Sequence, residues 1–443
     1  MLKTLKNAFK IKEIRSKIFF TLAMLVVIRL GSQLPTPGIN SEYIRNWFAN
    51  ATATGGNTFN FLEAFTGGSF SRMSIFALSI TPYITSSIII QLLTIAIPKL
   101  EEMQRDGEDG RKKMAAITRY VTIALSVIES GAMAIGFGGQ GLLTPFNGLT
   151  VIGTILILTA GSAVLMWIGE RITDKGIGNG ISIVLVINIL SRLPEDIKSL
   201  YVQFVKSAAN AGDIAGAVIA AVVILAIIVV MVAIVIILND GVRKIPVQYA
   251  KKVQGRKLVG GQTSSIPLKV NTAGVIPIIF ASSLMQFPLI ISSFFYKGNG
   301  VWRKILNTIN SENWCDPDQP VYSIGLLIYV ILVIFFAYFY TSITFNPLEV
   351  AENMKKQGGF IPGIRPGKPT AEYLSKLLNY IIFIGVIGLI IIAVLPFFFN
   401  GVFNAEVSFG GTSLIIIVSV ILETIKQVES QMLVRNYKGF LND

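Results

Sequence analysis

The run IAGAVIAAVVILAIIVVMVAIVIIL, residues 214–238, contains no charged or hydrogen-bonding side chain. About 20 residues of helix suffice to cross the ~30 Å hydrocarbon layer of a bilayer. Lipid offers no partner to an exposed N–H or C=O, so a spanning segment must be a helix or part of a closed barrel. Barrel strands are about half this length and alternate apolar with polar residues, whereas here the apolar character is continuous. Similar runs recur at 18–35, 73–97, 116–137, 149–169, 272–295, 321–345, 377–399 and 411–430, with a shorter one at 180–193. The sequence therefore predicts an all-α polytopic membrane protein with ten transmembrane helices.

Charge agrees with this and orients the chain. Only 14% of residues are charged, against 52% apolar, and the mean hydropathy is +0.65; soluble domains carry about 25% charged residues. Lys and Arg concentrate on the cytoplasmic side of membrane proteins. Placing the N-terminus in the cytoplasm puts most of the 38 basic residues in cytoplasmic segments, so both termini are expected there. The basic N-terminal stretch and the apolar run after it could pass for a signal peptide. That run contains Arg29 and ends in QLPTPG with no small-residue cleavage site, and it reads as a retained first helix. The single cysteine, Cys315, falls in an external loop and precludes an internal disulfide.

The chain has no histidine, which removes imidazole metal ligands, Ser-His triads and imidazole proton shuttles together. No catalytic residue, metal or cofactor is expected. Charges within the spans are few: Arg29, Glu129 near an outer end, and Glu423 and Lys426 near an inner end. Arg29 reads as a structural residue tied to backbone carbonyls or to a neighbouring helix. A secondary transporter for a small solute is the competing class, but such proteins bury carboxylates near mid-membrane, and no convincing set is present. The GIGNG of residues 176–180 lacks the Lys-Ser/Thr of a phosphate loop and follows no strand; a tight cytoplasmic turn is expected.

Two loops on the cytoplasmic side, 239–270 and 346–376, run to about thirty residues, and long loops in compact proteins tend to be functional. The first holds two strand-like runs about a turn, with Lys251, Lys252, Arg256 and Lys257 at its tip, and reads as a projecting basic hairpin. In the second, GGFIPGIRPGKPT carries prolines 362, 366 and 369, which stiffen a finger that presents Arg365 and Lys368. Phosphate-rich or acidic partners suit both.

Four segments carry a resemblance: PYITSSIIIQLL (82–93), GERITDKGIGNGISI (169–183), IPLKVNTAGVIPIIFASSL (266–284) and GGFIPGIRPGKPT (358–370). With them, in order along the chain, the sequence resembles the bacterial SecY family of protein-translocation channel subunits. The resemblance implies a SecY-type channel of two five-helix halves, residues 1–200 and 201–443, related by an inverted pseudo-twofold axis. Six aliphatic residues would form a mid-membrane pore ring: Ile80, Ile84, Ile181, Leu185, Ile279 and Ile416. FNFLEAFTGGSFSR (59–72) would supply a plug, with Phe61, Leu62 and Phe65 on it and Gly67 and Gly68 as its hinge. Thr85, facing Phe287, would mark a lateral gate with Ser86, Gln91, Ser282, Ser283 and Gln286 nearby. The basic tips, Lys251, Lys252, Arg256, Lys257, Arg365 and Lys368, would dock the SecA ATPase or the ribosome.

By the same resemblance the chain is a passive channel rather than an enzyme. It sits in the bacterial cytoplasmic membrane with SecE and SecG subunits, passes secretory and membrane precursor polypeptides, and draws energy from its partners. Leu348 stands where the family commonly has a basic residue, and Leu185 where isoleucine is frequent in the ring.

Overall fold

The computed structural model describes residues 8–40, 42–44, 46, 63, 66–206, 214–249, 252–254, 257–259, 263–295, 300–315, 319–403 and 411–439. Each of the ten apolar runs contributes a helix of its own. These are α1 (Lys12–Gly31), α2 (Thr81–Ala96), α4 (Gly107–Phe137), α5 (Gly148–Lys175), α6 (Gly180–Leu200), α7 (Ile214–Asp240), α8 (Ile276–Phe295), α10 (Ile324–Thr344), α12 (Lys368–Phe403) and α13 (Gly411–Gly439). Shorter helices α3 (Pro98–Arg105), α9 (Val301–Ile309) and α11 (Pro347–Lys356) connect them. Among the described residues, the stretches containing α4, α5, α7, α10 and α12 are long and apolar enough to span alone, and α2 and α3 form a pair bent by 109°. The remaining four carry charges or an internal proline, as with Pro194 in α6 and Pro288 in α8.

Helix α7 leaves most of its apolar surface uncovered, including Val218, Val222, Leu225 and Val229. Lipid or a partner helix must cover that surface. Elsewhere small and hydroxylated residues let helices close up: Ser126 Oγ donates to Ser162 Oγ at 3.3 Å, and Ser130 and Thr159 meet at 3.2 Å between α4 and α5. Such contacts are worth only about 0.6 to 2 kcal/mol each in a membrane, so close packing carries much of the association. Helices α7 and α13 are tied by Asn239, which donates to Ser419 Oγ at 2.7 Å and accepts from Asn271 at 2.9 Å. Lys426 pairs with Asp240 at 2.7 Å at an exposed end.

The span expected over 73–97 is only partly helical. Residues 67–80 form a succession of turns, with φ of +64° at Gly67, +81° at Gly68, +45° at Met73 and +52° at Ser79, and the helix begins at Thr81 with Pro82 in its first turn. Proline suits that position, since its missing N–H would have no helical partner there. Backbone bonds pin the turns to residues 34–36: Ile75 N–H donates to Leu34 O at 3.0 Å and Thr36 N–H to Met73 O at 2.9 Å. Met73, Ala77 and Ile80 are wholly buried. Irregular backbone at membrane depth is tolerated only when protein surrounds it in this way.

The two long loops depart from the all-α expectation in a particular way: they build one sheet together. Strand β1 (Val242–Tyr249) pairs antiparallel with β4 (Thr263–Lys269), from Val242↔Lys269 to Gln248↔Thr263. On its other edge β1 receives β5 (Gly359–Phe360) from the second loop. A separate hairpin, β2 (Lys252–Gln254) with β3 (Lys257–Val259), extends from the β1–β4 turn. Ile245, Val247, Leu268, Met354, Ile361, Leu374 and Ile381 form the apolar core beneath the three-stranded sheet. Hairpin and finger are therefore parts of one platform on α11 and α12.

Glycine governs the seat of the irregular segment. A Cβ on Gly161 of α5 would lie 2.0 Å from the backbone oxygen of Ile75, whereas one on Gly153 would meet nothing within 4 Å. Gly161→Ala is expected to cost about 1–3 kcal/mol of overpacking strain and to lower the melting temperature in detergent, while Gly153→Ala leaves it near that of the parent. Equal melting temperatures for the two variants would refute this packing.

Candidate functional site

Ile80, Ile84, Ile181, Leu185, Ile279 and Ile416 fall in one apolar cluster. Ile80 immediately precedes α2, and Ile84 lies one turn in, its N–H donating to Ile80 O at 3.1 Å. Ile181 and Leu185 occupy the first turns of α6. That helix is started by Asn179, whose side chain accepts from Ile181 N–H at 3.1 Å and Ser182 N–H at 3.4 Å. The GIGNG turn sets this start hard against α5: Gly178 has φ +84°, and a Cβ on Gly180 would lie 1.8 Å from Gly169 O. Ile279 comes from the first turn of α8 and Ile416 from the start of α13. Ile80, Leu185 and Ile416 are buried, while Ile84, Ile181 and Ile279 are half-buried.

All six of these side chains are aliphatic, so none of them can coordinate an ion or bond a peptide group; Tyr83, packed against the same cluster, carries a hydroxyl. Both sides of the chain's midpoint contribute, α2, α5 and α6 from one and α8 and α13 from the other. The surrounding members, among them Leu165, Ile168, Ile183, Ile189 and Val420, had no distinguishing mark in the sequence, because aliphatic pairs four apart occur on every membrane helix.

Next to this cluster, Glu63 and residues 66–80 rest on a polar seat. Glu63 and Arg192 of α6 pair at 3.1 Å, with side chains only 6% and 18% exposed. Glu63 also accepts from Ser71, whose N–H reaches Oε2 at 2.9 Å and whose hydroxyl reaches Oε1. Gly67 O accepts from Arg29 Nη1 at 3.4 Å and from Ser191 Oγ at 3.3 Å, and Asn188 Nδ2 donates to Ser79 Oγ at 3.0 Å. A Cβ on Gly67 would lie 2.8 Å from Asn188 O and from Ser191 Oγ. Gly67 is thus a point of close approach to α6 as well as a residue with positive φ. Arg29 is tied to a backbone carbonyl, as its sequence position suggested. Phe61, Leu62 and Phe65 lie outside the described residues. Sequence reasoning passed over Glu63 and Arg192, whose available signal was an opposite-charge pair beside two otherwise apolar segments.

The described residues among those expected at a lateral gate have different surroundings. Ser86 is fully buried and bonds Thr122 Oγ1 at 2.6 Å and Thr118 O at 3.3 Å, both on α4. Thr85 Oγ1 donates to Thr81 O of its own helix at 3.1 Å. Gln91 lines a cavity of about 250 Å³ with Thr94, Gln104, Arg111, Thr118 and, from α10, Ile343. Ser282 is buried and Ser283 half-buried on α8; Gln286 and Phe287 belong to α8, and their side chains lie outside the described residues. What α2 and α8 share is apolar: Ile84, Ile88 and Leu92, four apart on α2, join the cluster of Ile278, Phe280, Ala281 and Met285.

On the sheet platform Arg365 and Lys368 are exposed. Their finger is fixed by Thr370 Oγ1 donating to Arg365 O at 2.8 Å and by left-handed Gly363 and Gly367. Lys257 opens β3 directly after the β2–β3 turn, Lys252 opens β2 at the other end of the hairpin, opposite Val259, and Lys251 and Arg256 lie outside the described residues. Leu348 is exposed on α11.

A family model for SecY matches residues 74–425. The chain belongs to the SecY family. Curated SecY relatives agree: protein translocase subunit SecY of Streptomyces galbus is 43% identical, with 100% of both chains covered, and that of Corynebacterium glutamicum is 40% identical, with 98% of this chain and 99% of the relative covered. A solved protein-conducting channel superposes with a TM-score of 0.64 at 18% identity, covering 94% of this chain and 92% of that one. Sec61 from a canine ribosome–channel complex gives 0.61 at 17%, with the same coverage. At those identities the structures support the SecY fold. The chain is a multi-pass membrane channel subunit and not an enzyme.

The bond from Ser86 to α4 has a consequence. Ser86→Ala is expected to cost about 1 kcal/mol of thermal stability without raising ion leak through reconstituted vesicles. A residue clasping the α2–α8 seam would raise that leak when truncated, and a raised leak would contradict the assignment.

Proposed function

We propose that this SecY-family subunit is a passive protein-conducting channel that moves secretory polypeptides across the bacterial cytoplasmic membrane and releases membrane segments sideways into lipid. The observation that carries the reading is the convergence of six aliphatic side chains, Ile80, Ile84, Ile181, Leu185, Ile279 and Ile416, from both sides of the chain's midpoint, into one hydrophobic cluster. A narrow apolar constriction excludes ions by dewetting, and aliphatic walls offer a passing chain no hydrogen bond that would hold it. In this reading the halves 1–200 and 201–443 meet at that ring, and both termini face the cytoplasm.

The segment around 60–70 acts as the plug, and its Glu63–Arg192 seat holds it. Arg29 and Ser191 fix the backbone at Gly67, with Gly68 beside it. Helices α2, α4, α8 and α10 form the lateral gate, closed mainly by the Ile84, Ile88 and Leu92 stripe, with Thr85, Gln91, Ser282, Ser283, Gln286 and Phe287 along its length. The sheet platform presents Arg365, Lys368 and the lysines of the hairpin to SecA or to ribosomal RNA, whose phosphates suit such tips. SecE and SecG complete the complex, and α7, so poorly covered by its own chain, is one place for a partner helix.

A photocrosslinker at Ile84 in a Cys315→Ser background, reconstituted with SecE and SecA, tests the reading. Capture of an arrested precursor that requires both ATP and a signal sequence is expected at Ile84 and at Ile279. No capture at either position with SecA demonstrably bound would reject it.

The seat makes a second demand. Removing one partner of a buried ion pair costs about 3–5 kcal/mol, because the other charge is left uncompensated. Arg192→Ala is expected to raise the resting ion leak of proteoliposomes, and exchange of the two charges, Glu63→Arg with Arg192→Glu, is expected to restore part of the seal. A leak unchanged in Arg192→Ala, or no better in the exchange than in either single variant, would show that the pair does not hold the plug.

A further inference from the structure

Helix α9, VWRKILNTI, follows α8 at the end remote from the sheet platform. At helical spacing Val301, Trp302, Ile305, Leu306 and Ile309 share one face, with Arg303, Lys304 and Asn307 opposite. The C-terminal part of that face is fixed to the protein. Ile309 packs on the core formed by α8, α10 and α12, Trp314 Nε1 donates to Thr308 O at 2.8 Å, and Asn313 Nδ2 donates to Asn307 O at 2.9 Å. A Cβ on Gly325 would lie 1.8 Å from Thr308 O, so α9 ends hard against the first turn of α10.

The N-terminal part is uncovered. Val301, Trp302 and Ile305 are 76%, 46% and 43% exposed. Val321, in the connection that α9 packs against, and Ile324, the first residue of α10, are exposed as well, and Leu327, Ile328 and Ile331 carry the apolar surface on down α10. α10 is a membrane span of a SecY-family protein, so the apolar face of α9 is continuous with a lipid-facing surface, at the depth where that surface begins.

We propose that α9 is an in-plane membrane anchor. Its Val301, Trp302 and Ile305 face enters the boundary between headgroups and acyl chains, and its basic arc meets the phosphates. A short amphipathic helix with a tryptophan at the waterline and cations opposite has the composition of an interfacial segment. Phospholipid is the occupant because the exposed face runs on into the exposed apolar side of the α10 span and because Lys304, on the opposite arc, complements anionic headgroups. The anchor holds the far end of α8, so movement of α8 carries α9 along the membrane surface.

The test uses the full chain in phosphatidylethanolamine–phosphatidylglycerol vesicles, in a Cys315→Ser background, with nitroxides on single cysteines at 301, 302, 304, 305 and 307. Power saturation compares access to oxygen, which concentrates in lipid, with access to a water-soluble nickel chelate. The oxygen-to-nickel ratio is expected to be several-fold higher at 301, 302 and 305 than at 304 and 307, and the contrast at 301 to disappear in Trp302→Glu/Ile305→Glu. Equal nickel access at all five positions would place the helix in water. Exclusion of both reagents from 301, 302 and 305, with spin–spin broadening, would place them against a second copy of the chain. Either result overturns the anchor, and neither bears on precursor capture at Ile84.

Discussion

An unsatisfied backbone group in hydrocarbon costs several kcal/mol, and the architecture follows from avoiding that cost. Ten helices meet it internally. Among the described residues, the stretch 67–80 within an apolar run does not; it is enclosed by α1, α4, α5 and α6 and pinned by its bonds to Leu34 and Thr36. That exception is where polar chemistry collects: Glu63, Arg192, Arg29, Ser191 and Asn188 surround it. A segment that cannot be a helix must be held by particular bonds, and bonds of that kind can be exchanged for others when the segment moves.

In the proposed channel the seal and the seat divide the work by chemistry. A closure made by the aliphatic cluster around Ile80 and Leu185 needs no directional contacts, so nothing in it would have to be rebuilt after a polypeptide passes. The seat is directional and partly charged; it has one good arrangement and loses much when a partner is removed. An apolar closure beside a polar fastening lets the resting state be tight while the path itself stays free of hydrogen-bonding groups.

The sequence made the spans legible because a membrane helix announces itself by length and continuous hydrophobicity. It misplaced the start of the second helix, since SIFALSI is as apolar as the helix after it and only the backbone, with positive φ at Met73 and Ser79, separates the two. The hairpin was visible as two strand-like runs, but its union with Gly359–Phe360 across a hundred residues was not. The six ring positions came from resemblance, because Ile80 and Ile84 look like any aliphatic pair four apart. For Ser86 the sequence showed a hydroxyl on a helix expected at the gate but not its partner, which is Thr122 within the same half. Glu63 and Arg192 are 129 residues apart, and nothing local marks them as a pair.

The resting conductance of the reconstituted channel in a planar bilayer tests the central claim most directly. If the apolar cluster is the seal, Ile84→Ser combined with Ile279→Ser hydrates the constriction and produces steady ion current without precursor or motor, while Ile219→Ser on the uncovered face of α7 stays as silent as the parent. A double variant as silent as Ile219→Ser would mean that the barrier lies elsewhere and that these isoleucines only pack helices together.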